Sequence, residues 1–261
     1  MGKKYEELDF TDNFFFCKIL MKNKNLCIEL LELILNIKIK DIVFMTEQKP
    51  IEITADARGI RLDVYVEDET KTVYDIEMQP TMTPNLPKRS RYYQGMIDLN
   101  LIERGADFNE LKKSYVIFIC LEDPFEEGLH IYTFENKCRE CASLILGDDT
   151  TKVFINAAGT ADDVSDEMKE FLDYLQGKGT QNDFTRRIAN EVDKARVHEE
   201  WRVEYMSLLL RDQEMRVAGR EEERIRAIKK KLEKKKSVEQ IAEELEITVE
   251  EAKSYVQLIE K

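Results

Sequence analysis

The chain has 261 residues, 43% of them hydrophobic and 36% charged, with a formal charge of −13. That length supplies one sizeable domain with appendages or two smaller domains, and the acidic balance excludes a protein that holds nucleic acid by global attraction alone. No run approaches the roughly 20 apolar residues that span a bilayer, and Asp9, Asp12 and Asn13 interrupt the opening segment, so the expectation is no membrane partner and a cytoplasmic location.

In chain order, Asp12-Asn13 precedes a Phe14-Phe15-Phe16 cluster that starts a short helix. Asn25 caps a second helix carrying Leu30, Leu31, Leu33, Ile34 and Leu35 at helical spacing, with Asn36 as its exit. Ile42–Met45 reads as an entering strand, and Ala55–Gly59 as a loop. Two further strands, Arg61–Val66 and Tyr74–Gln79, are joined by a polar stretch containing Asp68-Glu69-Thr70-Lys71. Folding the chain about Thr70 sets Asp63 opposite Glu77 across thirteen intervening residues. Because strand side chains alternate, Glu77 and Gln79 share a face. Asp75 shares it too, placed either to modulate the site or, the simpler reading, as an exposed strand residue.

Pro80, Pro84 and Pro87 break the chain after this hairpin, and Lys88–Glu103 has helical periodicity. Its first turns carry Lys88, Arg89, Arg91, Tyr92, Tyr93 and Gln94, placed either to reach the carboxylates or a phosphate backbone, or simply to be solvated and packed. Ser114–Leu121 is almost continuously apolar, as in a strand buried on both faces, and His130–Phe134 and Lys152–Ile155 add two short strands. The fold class is therefore α/β, a mixed sheet flanked by helices over residues 1–176. Gln176–Thr180 is a polar, flexible joint before a helical extension over 181–261.

Within that extension, Asp183–Arg216 reads as one long helix or two, followed by a charged helix over Arg220–Lys236. Residues 237–258 have the outline of a helix-turn-helix with Ser237 and Thr248 as caps, each followed three residues later by Gln240 or Glu251. The second helix has few base readers beyond Lys253 and Gln257, so sequence-specific DNA reading is weak. From Arg224 to Lys236 eight Lys or Arg residues face one acidic residue, Glu233. This basic patch suits DNA contact and a solvated helix equally.

Other chemistries lack their signatures. Cys138 and Cys141 form a CxxC pair without a second pair or a nearby His, and the remaining cysteines sit among apolar neighbours, so reduced, structural thiols are expected. His130 and His198 fall in separate predicted elements, and there is no nucleophile elbow, phosphate-binding loop or dinucleotide fingerprint. The carboxylates are different. Asp and Glu are hard oxygen ligands suited to Mg²⁺, which keeps coordination places for water and phosphate. Asp63 and Glu77 are the candidate ligands, and the Gln79 amide is placed to orient water or substrate.

These residues carry a family resemblance. Asp12–Phe16, Arg61-Leu62-Asp63-Val64, Asp75-Ile76-Glu77-Met78-Gln79 and Lys88–Tyr93, in that order, resemble the PD-(D/E)xK nuclease superfamily, most closely its branch of transposase-like, recombination-promoting nucleases, over about residues 8–157. The resemblance implies a restriction-endonuclease-like fold, with Asp63 and Glu77 as Mg²⁺ ligands and Mn²⁺ as a substitute. Gln79 would stand where lysine is usual, and Arg89 and Tyr92 would contact substrate or support the site. Two departures stand out: Leu62 replaces the proline before Asp63, and Glu-x-Gln replaces Glu-x-Lys. A helical carboxylate often joins such sites, with Asp12, Glu29 and Glu32 as candidates. The expected function is a metal-dependent DNA endonuclease, promoting recombination or tied to a mobile element. The alternatives are a catalytically inactive, nuclease-like DNA-binding or regulatory protein, and a self-association module that forms a homodimer through surface such as Leu208-Leu209-Leu210.

Overall fold

The computed structural model describes residues 3–51 and 60–259; the loop expected at 55–59 lies outside the described residues. The described chain forms two compact units, residues 3–198 and residues 199–259.

The first unit opens with helices α1 (Asn13–Lys22) and α2 (Lys24–Leu35). Asn36 ends α2 in the left-handed region at φ 50°, the conformation that short polar side chains tolerate at a helix exit. Strands β1 (Ile42–Ile51), β2 (Ile60–Asp68) and β3 (Val73–Gln79) follow. Strand β1 runs further than the apolar Ile42–Met45 segment predicts, and its polar half pairs in register through Lys49 with Leu62 and Ile51 with Ile60. As an edge strand it tolerates Thr46, Glu47 and Lys49, because one side of its ladder is open.

Helix α3 (Leu86–Leu101) leads to β4 (Ser114–Cys120), β5 (Ile131–Phe134) and β6 (Thr150–Asn156). Pro87, expected to break the chain, instead lies within the first turn of α3. There its missing N–H has no helical partner to lose. The six strands form one sheet in the order β1-β2-β3-β4-β6-β5. β1, β2 and β3 are antiparallel neighbours, β3, β4 and β6 are parallel, and β5 closes the far edge antiparallel to β6.

Every residue of β3 and β4 is buried, so both faces at the sheet's centre are covered. Tyr93, Met96 and Ile97 of α3 pack with Val73, Val116, Phe118 and Cys120 on one face. Helix α1 packs on β1–β3 and against α2 and α5.

Asp68 fixes the β2–β3 turn. Its Oδ1 accepts the backbone N–H groups of Thr70 and Thr72 at 2.8 and 2.9 Å, and its Oδ2 accepts the Tyr74 hydroxyl at 2.8 Å. The strands then pair Val66 with Tyr74, Tyr65 with Asp75 and Val64 with Ile76. The paired register ends there, and beyond it Asp63 and Glu77 meet through the Asp63 N–H and the Glu77 carboxyl.

Helices α4 (Asp166–Leu175) and α5 (Asp183–Arg196) complete this unit. The joint at 176–180 therefore connects two helices of the same unit, and the units part between His198 and Glu199. The reason is contact: Arg187 of α5 pairs with Glu29 of α2 at 2.6 Å, and the Tyr5 hydroxyl donates to the Ala195 carbonyl at 2.6 Å.

In the second unit the segment after α5 is one continuous helix, α6 (Glu199–Glu233), followed by α7 (Val238–Glu244) and α8 (Val249–Ile259). The Ser237 and Thr248 hydroxyls accept the N–H groups of Gln240 and Glu251 at 3.3 and 3.1 Å, so the paired helices have the caps that the sequence predicts. Ile228, Ile241 and Ala252 are buried between the three helices. Among the described residues no helix is long and apolar enough to cross a membrane.

Candidate active site

The hairpin and α3 bring the sequence-predicted residues Asp63, Glu77, Gln79 and Arg89 into contact. The Asp63 N–H donates to Glu77 Oε1 at 2.9 Å, and Arg89 Nη2 donates to Glu77 Oε2 at 2.7 Å. Arg89 Nη1 donates to Gln79 Oε1 at 3.0 Å, and Gln79 returns its own amide N–H to the Met78 carbonyl at 3.0 Å. Arg89 thus holds Glu77 and Gln79 together in one fork, a planar arrangement that lysine does not reproduce.

Tyr92 lies outside this fork and is 40% exposed. Its neighbour Tyr93 is the buried tyrosine, and its hydroxyl accepts from Arg89 Nε at 2.9 Å. Sequence reasoning missed Tyr93 as the supporting residue. Its spacing of four from Arg89 on a helix is the signal that identifies it. Lys88 and Arg91 are exposed on the same turns.

The helical carboxylate candidates have other partners. Asp12 pairs with Lys3 at 2.8 Å, Glu29 with Arg187 at 2.6 Å, and Glu32 accepts the Ile39 N–H at 2.9 Å. From α1, Asn13 lowers the pKa of the Asp63 carboxyl, and Cys17 Sγ donates to the Asp63 carbonyl at 3.4 Å and to Asn13 Oδ1 at 3.7 Å.

Burial governs the charges. Asp63 is 9% exposed and Glu77 and Asp75 are 0% exposed, which corrects the expected exposure of Asp75. Desolvation disfavours the ionised form. It pushes Glu77 up to about 8, reinforced by the Asp63 charge and opposed by the Asp63 N–H and Arg89. Asp63 is also raised by burial, against the bonds from Asn13 and Met78.

Asp75 is pushed well above the usual carboxylate range by burial and by the charges of Glu77 and Asp63. Neither of its oxygens has a hydrogen-bond donor. A bond between the Asp75 and Glu77 carboxyls forms only when one of them holds a proton. Burial, and then the Asp63 charge, also keep the Cys17 thiol protonated, so no thiolate nucleophile arises here.

Asp63 and Glu77 are hard oxygen donors beside a third carboxyl, Asp75, that lacks a donor, a chemistry that suits a divalent cation, since Mg²⁺ uses one or two carboxylates and completes its shell with water and phosphate oxygens. Among the described residues no group of three or more His, Cys, Asp and Glu is placed to hold a metal ion. The larger groove between α2 and the starts of α4 and α5 is lined by none of Asp63, Glu77, Gln79 or Arg89.

In the second unit the basic segment is partly neutralised. Lys231 and Lys236 both pair with Glu244, and Arg224 stands over the Tyr255 ring at 5.9 Å. Lys229, Lys230, Lys234 and Lys235 are exposed.

No curated protein and no solved structure matches the chain. A family model described as PD-(D/E)XK nuclease family transposase matches residues 8–257, which takes in the hairpin, α3 and nearly all of the second unit, beyond the segment whose motifs are legible by eye. The chain belongs to the PD-(D/E)XK nuclease transposase family.

Proposed function

We propose that the protein is a Mg²⁺-dependent endonuclease that hydrolyses DNA phosphodiester bonds, acting in recombination or for a mobile element. The observation that carries this reading is the buried Asp63–Glu77 pair, joined through the Asp63 N–H, with Arg89 bound to Glu77. Asp63 and Glu77 would hold the cation, which on binding supplies a Lewis acid for the phosphoryl oxygen and lowers the pKa of attacking water. Arg89 places a permanent positive charge beside the carboxylates, the charge that Gln79 cannot supply, and it is positioned to offset charge developing on the phosphate. Gln79, fixed through both ends of its amide, orients Arg89 and leaves water activation to the cation. Lys88, Arg91 and Tyr92, exposed on the outer side of α3, are suited to phosphate contacts that do not read sequence.

Cleavage of plasmid DNA that stops with chelator and returns with excess Mg²⁺ or Mn²⁺ is the expected result. Persistence of cleavage in chelator would refute metal dependence. The second reading, a DNA-binding or regulatory protein without cleavage, is favoured by Gln79, whose amide is already engaged at the lysine position. DNA binding in chelator with no cleavage under any divalent cation would support it.

A further inference from the structure

Asp75 is fully buried on β3, two residues before Glu77 and on the same face. Neither of its oxygens has a hydrogen-bond donor. Its neighbours do not compensate it. Across the hairpin is Tyr65, whose hydroxyl donates to Glu67 at 2.7 Å, and on β4 is Val116. Arg89 directs its hydrogen bonds to Glu77, Gln79 and Tyr93 and makes none to Asp75. A buried carboxylate without a donor costs several kcal/mol, so Asp75 contributes nothing to folding that an uncharged residue of its size would not do better.

The charge balance of the cluster gives it a purpose. Asp63, Asp75 and Glu77 bring three buried carboxyl groups to the single guanidinium of Arg89, and a divalent cation would supply the further positive charge that three carboxylates need. We infer that Asp75 is a positioning residue for the divalent cation: it acts from behind Glu77, orienting that carboxylate and deepening the negative potential in which the cation sits, without ligating it directly. The inference rests on the assignment of Asp63 and Glu77 as cation ligands. Residues behind metal ligands typically change metal affinity by roughly 10–100-fold when altered.

The test is calorimetric titration of the full-length protein with Mn²⁺ alone at pH 8, for wild type, Asp75→Asn, Asp75→Ser and Asp63→Ala, with thermal unfolding in chelator alongside. The expected result is Mn²⁺ binding by wild type, its loss in Asp63→Ala, and affinity about tenfold or more weaker in both Asp75 variants. Their metal-free melting temperatures should match or exceed that of wild type. A merely structural Asp75 would do the reverse, lowering the metal-free melting temperature and leaving Mn²⁺ affinity unchanged; that outcome, or unchanged affinity in either folded variant, overturns the inference. Absence of Mn²⁺ binding by wild type would overturn the ligand assignment itself, and Asp63→Ala would then differ in nothing. The Asn and Ser variants differ in shape, so failure of one to fold leaves the other to decide.

Discussion

Glu77 shows how a buried carboxyl ties the stability of the protein to pH. Burial raises its pKa to about 8 from an ordinary 4.5, so between those values the folded chain binds a proton that the unfolded chain has released. Stability from this group is fully present below about pH 4.5 and is lost as pH rises through 8. Asp75 adds a slope of the same sign. Denaturant titrations in chelator should therefore show wild type losing stability from pH 5 to pH 8. Glu77→Gln should flatten that slope by up to about 1.4 kcal/mol per pH unit, and equal slopes in the two proteins would contradict the burial argument. Arg89 carries the opposite burden. Arg89→Met leaves Glu77 without its guanidinium and is expected to cost about 3 kcal/mol at pH 8 and less at pH 6, where Glu77 is protonated. A loss independent of pH would point to packing instead. That Asp63, Glu77 and Gln79 come together was legible in the sequence, because strand alternation and a polar turn bring the two strands face to face. The burial of Asp75 was not, because Asp75, Glu77 and Gln79 at alternate positions look like any solvated strand face until α3 is known to cover them.

At the scale of elements, the hairpin turn sets the register on which the site depends. Asp68 collects two backbone N–H groups and the Thr70 and Tyr74 hydroxyls, so Asp68→Ala removes the acceptor of four buried or partly buried donors. A loss of about 2–3 kcal/mol in chemical denaturation is expected, together with weaker Mn²⁺ binding, since a slip of one residue sends Asp63 to the other face. Unchanged stability would mean that the strands hold register by apolar packing alone. Helix α3 is the element that the sequence located most usefully, yet its facing residues needed the structure. Adjacent residues on a helix diverge by about 100°, so Tyr92 and Tyr93 cannot both reach the sheet, and Tyr93 is the one in step with Arg89. The strands β4 and β6 were plain from their apolar runs. The polar half of β1 was not, because an edge strand needs no alternation on its open side.

At the scale of the whole molecule, an acidic protein of formal charge −13 must approach a polyanion through local surfaces. Lys229, Lys230, Lys234 and Lys235 offer one on the second unit, since Lys231 and Lys236 are already paired with Glu244. Replacing those four lysines by alanine should weaken DNA binding alike across sequences and reduce the salt slope by about one for each lysine that neutralises a phosphate. Binding curves that overlay those of wild type at every salt concentration would assign the segment to solvent. The division of the chain after His198 was not legible, because the polar joint at 176–180 has the composition of a domain linker while the ion pair and hydrogen bonds that hold α5 to α2 and to Tyr5 join residues far apart in sequence. The central claim is cleavage at Asp63 and Glu77, and its most direct test is Mg²⁺-dependent hydrolysis of supercoiled and linear DNA by wild type beside Asp63→Ala/Glu77→Ala, with folding checked by circular dichroism. Cleavage by wild type alone is the predicted result; equal cleavage by the folded double variant, or none by wild type in either Mg²⁺ or Mn²⁺, would contradict it.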